Sequence, residues 1–221
     1  MKVSITKVGF TTDTPLNRSD ARWIRGYMGT LLDNIYAHNH RADGGLVYSY
    51  PRIQYKVVNG SGLLLGIQEG ADILRDAFRE IELTEIDMGG RSMEVLSRSV
   101  ENCETELSTL SETVSYTFVT PWLALNRKNY ESYKMSDSYE ERVGLLEKIL
   151  TGNLIAVSKG LGYTVAQRLK VKINRIREVQ TALKGTPMLG FYGTFSVNFR
   201  IPEYFGIGKS VSRGFGTVKQ A

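Results

Sequence analysis

The sequence predicts an α+β fold made of two tandem βαββαβ halves, the second one truncated and carrying a glycine-rich loop. Three observations support this. Across the first half, strand alternation and helical periodicity follow in the order strand, helix, strand, strand, helix, strand, which is the split βαβ of ferredoxin-like (RRM-like) domains. After a polar stretch, a second strand pattern begins near Val114, followed by a long amphipathic helix and two more strands. The 221 residues, 42% of them hydrophobic, are enough for two cores of about 100 residues each. The expected domains are residues 1–108 and 109–221.

Val3 to Phe10 alternates apolar and polar residues as a half-buried strand does. A helix is expected from Ser19 or Asp20 to about Ala37. Its apolar residues Trp23, Ile24, Tyr27, Met28, Leu31, Leu32, Ile35 and Tyr36 recur in pairs every four positions. Leu46 to Val58 reads as a strand, with Pro51 pointing to an edge or a bulge. Asn59-Gly60 is a hairpin turn into Leu63 to Ile67, and a helix over Ala71 to Ile81 precedes one or two further strands. Arg98 to Thr113, rich in Ser, Glu and Thr, is expected to be a linker or an exposed hairpin. In the second half, Val114 to Leu125 reads as a strand and Ser138 to Leu161 as a helix. Leu169 to Leu183 and Met188 to Arg200 read as strands joined at Lys184-Gly185. Too few residues follow Arg200 for a full second helix.

Charge is unevenly spread. Residues 69–112 carry 12 acidic and 4 basic side chains, whereas residues 168–221 carry 10 basic and 2 acidic ones. A basic C-terminal stripe fits a polyanion partner, since each neutralised phosphate releases counterions. The single cysteine, Cys103, excludes an intrachain disulfide and a cysteine-based zinc site, and is expected to be a packing residue. No apolar run is long enough to span a bilayer, which sets the expectation of a cytoplasmic protein without a membrane partner.

The only histidines are His38 and His40, in Tyr36-Ala37-His38-Asn39-His40, where the helical pattern ends. Imidazole exchanges protons near neutral pH, so the pair is the natural candidate for acid-base chemistry. A zinc site would need a third ligand, which only Asp33, Asp43 or distant carboxylates could supply. A two-histidine phosphoesterase would need a second His-x-Ser/Thr motif, and no further histidine exists. Near the C-terminus, Gly206, Gly208, Gly214 and Gly216 permit positive φ and close backbone approach, while Lys209 and Arg213 add charge, as a phosphate-cradling loop requires. It is not a P-loop, because Glu203 occupies the first glycine position, and Val211 breaks a dinucleotide fingerprint. A glycine-rich turn into a last strand is the structural alternative.

Gly206 to Val218 resembles the glycine-rich loop of the CRISPR repeat-processing endoribonucleases, the sixth Cas family: Gly-x-Gly, a short basic spacer, then Gly-aromatic-Gly. Ile24-Arg25-Gly26-Tyr27, His38-Asn39-His40 and Tyr48 to Lys56 resemble its b-type branch. The resemblance implies two tandem ferredoxin-like domains and metal-independent cleavage of CRISPR precursor RNA within its repeats, leaving 2′,3′-cyclic phosphate and 5′-hydroxyl ends. It implies His38 and His40 as the catalytic pair with a nearby tyrosine, Tyr50 or Tyr48, and no cofactor or metal. RNA contacts are then expected from Arg52, Lys56, Gly206, Gly208, Lys209, Ser210, Arg213, Gly214, Phe215 and Gly216, with Tyr50, Arg52 or Lys56 stabilising charge at the phosphate. The expected partner is CRISPR repeat RNA; a CRISPR effector complex and a monomeric or homodimeric state stay open. The competing reading is a non-catalytic RNA-binding subunit of a CRISPR ribonucleoprotein.

Overall fold

The computed structural model describes residues 1–32 and 50–221. The chain forms two compact units. One takes Lys2–Thr105 together with Ser212–Gly214, the other Met1, Glu106–Val211 and Phe215–Ala221.

The N-terminal unit contains β1 (Lys2–Thr12), α1 (Ala21–Leu32), β2 (Ile53–Val58), β3 (Ser61–Ile67), α2 (Glu69–Glu80), β4 (Glu85–Asp87) and β5 (Ser92–Glu106). Its sheet runs in the order β2-β3-β1-β5-β4. This is the ferredoxin-like order, with β5 as fourth strand and the short β4 added at the edge. β2 is an edge strand, so Pro51 just before it removes no ladder hydrogen bond. The residues at 50–52 are not strand; β2 starts at Ile53. Alternation on β1 sends Val8 and Phe10 into a core closed by Ile24 and Met28 of α1, Tyr55 of β2, and Leu74 and Phe78 of α2. Removing each large apolar side chain from water contributes roughly 1.5–3 kcal/mol.

Arg98 to Thr113 is extended strand and not an irregular linker or a hairpin, and the boundary between the two units falls within it, between Thr105 and Glu106. It is the end of β5 and the start of β6 (Ser108–Phe118), which lie in different sheets. The polar composition belongs to strands with solvated faces, held by ladder hydrogen bonds and cross-strand pairs. Lys2 meets Glu104 at 3.1 Å and Lys7 meets Glu101 at 3.3 Å. The turning residue Leu107 is fully buried and exchanges two backbone hydrogen bonds with Met1, at 2.8 and 2.9 Å.

The second unit contains β6, α3 (Arg127–Met135), α4 (Tyr139–Gly160), β7 (Val171–Leu183), β8 (Thr186–Arg200) and β9 (Val218–Gln220), with sheet order β7-β8-β6-β9. Ser138 caps α4, its hydroxyl accepting from the Glu141 N–H at 3.1 Å. Leu146, Leu150 and Leu154 of α4 are buried. The β7–β8 turn has positive φ at both Lys184 (53°) and Gly185 (81°), as a two-residue type I′ hairpin requires. An aromatic core lies under the sheet, with Phe118 stacked on Trp122 at 5.2 Å and tilted against Phe195 at 5.1 Å. Where a second helix would stand, between β8 and β9, the chain forms only a three-residue 3-10 turn, Val211–Arg213.

Candidate RNA-binding and catalytic site

His38, His40 and Tyr48 lie outside the described residues, and Tyr50 and Arg52 follow that segment in the chain. Tyr50 is buried, at 8% exposure. Arg52 turns toward the start of α2: its Nε contacts Glu69 Oε2 at 2.9 Å, and its carbonyl accepts from the Ile67 N–H at 2.8 Å. Through Glu69 the Arg52 side chain ties the start of β2 to α2, while its Nη1 is buried with no hydrogen-bond partner among the described residues.

β2 alternates, so Tyr55 faces the helix-side core and Lys56 leaves the opposite face. Lys56, the β2 cation expected to meet RNA, does not face solvent. It is 0% exposed, its ammonium donates to Gln54 Oε1 at 2.8 Å, and burial pulls its pKa down to about 7. Desolvation disfavours the charged form, which is why a lysine here titrates near neutrality. On the other face, burial raises the Tyr55 hydroxyl well above the usual phenol range, partly offset by the Arg25 charge. The Tyr55 hydroxyl and Arg25 Nε are both buried with no hydrogen-bond partner among the described residues.

The C-terminal loop completes this corner. Gly214 has φ +84°, and a Cβ there would lie 3.0 Å from the Tyr55 carbonyl oxygen and 3.4 Å from the Ala21 Cβ. Only glycine lets the strand of loop lie this close to β2 and the start of α1. That approach brings Arg213 to Arg25. Burial lowers the Arg213 pKa, and the neighbouring Arg25 guanidinium lowers it further. Neither arginine has an ion-pair partner among the described residues. Two like charges beside buried, unpaired donors form a place where an anion relieves both repulsion and unmet hydrogen bonds. Arg25 belongs to the stretch Ile24-Arg25-Gly26-Tyr27 and is not among the RNA contacts that the sequence singles out. Its signal was a charged residue inside an apolar helical stripe.

The rest of the loop belongs to the second unit and is occupied by protein. Gly208 has φ +93°, and a Cβ there would lie 2.7 Å from Trp122 Nε1. Lys209 donates from its backbone to the Leu123 carbonyl at 3.2 Å and from Nζ to the Leu125 carbonyl at 2.6 Å, and burial lowers its pKa. Gly206 bridges to Thr217, the Ile207 N–H donates to the Gly216 carbonyl at 2.9 Å, and Gly206, Phe215 and Gly216 are buried. Ser210 takes φ 57° at the loop apex. The expected phosphate cradle therefore spends much of its glycine freedom on its own packing. Among the described residues, no three His, Cys, Asp or Glu side chains form a metal-binding set, and no helix is long and apolar enough to cross a membrane.

Residues 1–106 match the Cas6b N-terminal domain and residues 108–221 the Cas6b C-terminal domain. The chain belongs to the Cas6b family. A crystal structure of Cas6b is similar at 38% identity over 100% of both chains, with a TM-score of 0.91. A crystal structure of the CRISPR RNA processing endoribonuclease Cas6b is similar at 35% identity, again over 100% of both chains, with a TM-score of 0.79. The uncharacterized protein MJ0978 of Methanocaldococcus jannaschii is 39% identical over 138 residues, 62% of this chain and 93% of that protein. More distant Cas6 structures at 11–14% identity, with TM-scores of 0.61–0.62, share the fold. The Cas6b assignment thus covers both ferredoxin-like units, each matched by its own domain family.

Proposed function

We propose that this Cas6b protein is an endoribonuclease that cleaves CRISPR precursor RNA within its repeats, by metal-independent acid-base catalysis at His38 and His40. The observation that carries the RNA-binding half of this reading is the Arg25–Arg213 pair, whose unpaired charges and buried donors suit a phosphate. Family membership and the lone histidine pair carry the catalytic half. Cleavage needs a base to take the ribose 2′-hydroxyl proton, charge stabilisation at the crowded phosphorus, and an acid to protonate the departing 5′ oxygen. One neutral and one protonated imidazole suffice for the two proton transfers, each contributing on the order of 10²- to 10⁴-fold. Tyr50, buried beside the histidine segment in the chain, is the assisting tyrosine of this reading. Arg213 and Arg25 supply the cationic contacts, and Lys209 and the loop glycines hold the shape of the loop. The products are a 2′,3′-cyclic phosphate and a 5′-hydroxyl.

The test is single-turnover cleavage of repeat RNA in EDTA, with and without a 2′-deoxy substitution just 5′ of the cut. The expected result is cleavage of the ribose substrate to a cyclic phosphate and none of the deoxy substrate. Cleavage of the deoxy RNA, or strict dependence on added divalent metal, refutes the mechanism. Tight binding without any cleavage assigns the chain to the non-catalytic class.

A further inference from the structure

A cavity of about 740 Å³ in the second unit lies between the later turns of α4 and the irregular segment that leads from that helix to β7. Lys148, Thr151, Ile155 and Lys159 line it from α4. They are spaced three or four residues apart and so share one face of the helix. Gly162, at φ +80°, reverses the chain after the helix, and residues 162–169 form the opposite wall. That segment runs antiparallel to α4, from Tyr163 beside Ser158 to Ile173 beside Glu147. Arg168 therefore sits nearer the Lys148 end of the cavity, and Lys159 at the other.

The protein's own hydrogen bonds hold both walls in place. The Tyr163 N–H donates to the Ser158 carbonyl at 2.9 Å, and the Tyr163 hydroxyl accepts from the Thr109 N–H at 3.3 Å. Asn198 of β8 clamps the segment before β7: its Oδ1 accepts from the Lys170 N–H at 2.6 Å and its Nδ2 donates to the Arg168 carbonyl at 3.2 Å. Glu147, the acid next to Lys148, accepts from the Ile173 N–H at 2.9 Å and so serves β7. The lining consequently carries three cations, Lys148, Lys159 and Arg168, and no carboxylate. All three are exposed and have no ion-pair partner among the described residues. Apolar surface lies between them, from Ile155, which is 47% exposed, and from Val165. The Thr151 hydroxyl donates to the Glu147 carbonyl at 2.8 Å, which leaves its lone pairs to accept.

The geometry points to a small-molecule site for a free purine nucleotide, with its phosphates on Lys148 and Arg168 and its base against Ile155 and Val165. Charge gathered at one end and apolar surface beyond it fit a ligand that is anionic at one end and flat in its body. A helix face and an irregular segment present no strand edge for a peptide to extend, which favours a small molecule. The volume lies within the roughly 300–1,000 Å³ of such sites. Thr151 is available to accept from a ribose hydroxyl. Apolar contact with a flat base does not separate adenine from guanine, so both purines are accepted. The cavity shares no residue with the Arg25–Arg213 corner or the glycine-rich loop, and the inference stands whether or not the chain cuts RNA.

The test is isothermal titration calorimetry of the full chain with ADP, GDP, adenosine and inorganic pyrophosphate, without added divalent metal. ADP and GDP should bind at a single site, within a few fold of each other and about tenfold more tightly than adenosine or pyrophosphate, since either half alone meets only part of the cavity. Lys148→Gln with Arg168→Gln should bring ADP down about tenfold, to near the affinity of adenosine. Ile155→Gln should bring it down about tenfold, to near that of pyrophosphate. Lys184→Gln, at the β7–β8 turn away from the cavity, should leave ADP binding unchanged. If the double variant fails to fold, Lys148→Gln alone carries the test, with about a threefold loss. Absence of binding by both diphosphates overturns the inference, as does pyrophosphate binding as tightly as ADP, wild-type affinity in the cavity variants, or an equal loss in Lys184→Gln. Displacement of ADP by repeat RNA also overturns it, because the cavity would then belong to RNA.

Discussion

Replacing Lys56 by Met tests the most unusual electrostatic feature of the N-terminal unit. The ammonium is fully buried and titrates at about 7 in place of its ordinary 10.5. Between those values the unfolded chain keeps a proton that the folded chain has released. Stability therefore rises with pH through this window, and the penalty for burying the charge is largest below pH 7. The full window corresponds to about 5 kcal/mol, at about 1.4 kcal/mol per pH unit. Between pH 7 and 9, where measurement is practical and the lysine is half-titrated at the start, the gain is about 2 kcal/mol. Lys56→Met has no such proton to lose. Its stability relative to wild type should be greatest near pH 6 and fall by about 3 kcal/mol by pH 9, roughly 6–12 °C in the melting-temperature difference for a chain of this size. Loss of the donor to Gln54 Oε1 costs about 1 kcal/mol at every pH and cancels in that comparison. Thermal melts of both proteins from pH 6 to 9 decide it. Parallel curves would show that Lys56 keeps its proton to the usual range and that its burial carries no charge penalty.

Three further outcomes are expected. Arg25→Gln with Arg213→Gln should weaken repeat-RNA binding and flatten its salt slope by about 1.4, whereas Lys209→Met should leave the slope unchanged, because its ammonium is held by the Leu125 carbonyl; anisotropy titrations at several salt concentrations measure both. His38→Ala and His40→Ala should each slow single-turnover cleavage by about 10² or more with affinity within a few fold; unchanged rates in both would move the chemistry elsewhere. Gly214→Val forces φ +84° on a β-branched residue 3.0 Å from the Tyr55 carbonyl and should cost about 1–3 kcal/mol, visible as a lower melting temperature together with weaker RNA binding, whereas an unchanged melt would show that the loop approach is not fixed.

What a strand or helix does locally was legible where the signal is local. The leucine stripe of α4 sets its face and its length, Ser138 sets its start, and Lys184-Gly185 sets the β7–β8 turn, because periodicity, capping and positive φ are properties of neighbouring residues. The same logic ordered the elements of the first unit and read Pro51 as the sign of an edge or a bulge, of which β2 shows the edge. It failed for α3, whose Arg127–Met135 buries only Tyr133 and so shows no apolar face. It failed also for the end of β5, where Ser, Thr and Glu compose a strand whose stability comes from partners on β1.

The sequence by itself determined the fold class, the Gly-x-Gly to Gly-Phe-Gly loop, the lone histidine pair and the basic C-terminal charge. Tertiary structure decided how those charges are used. Arg52 is paired with Glu69, Lys56 is taken out of water, Lys209 is tied to a backbone carbonyl, and Arg25 meets Arg213 through the close approach that Gly214 permits. Pairing, desolvation and like-charge proximity depend on which residues distant in sequence become neighbours, and periodicity carries no record of that.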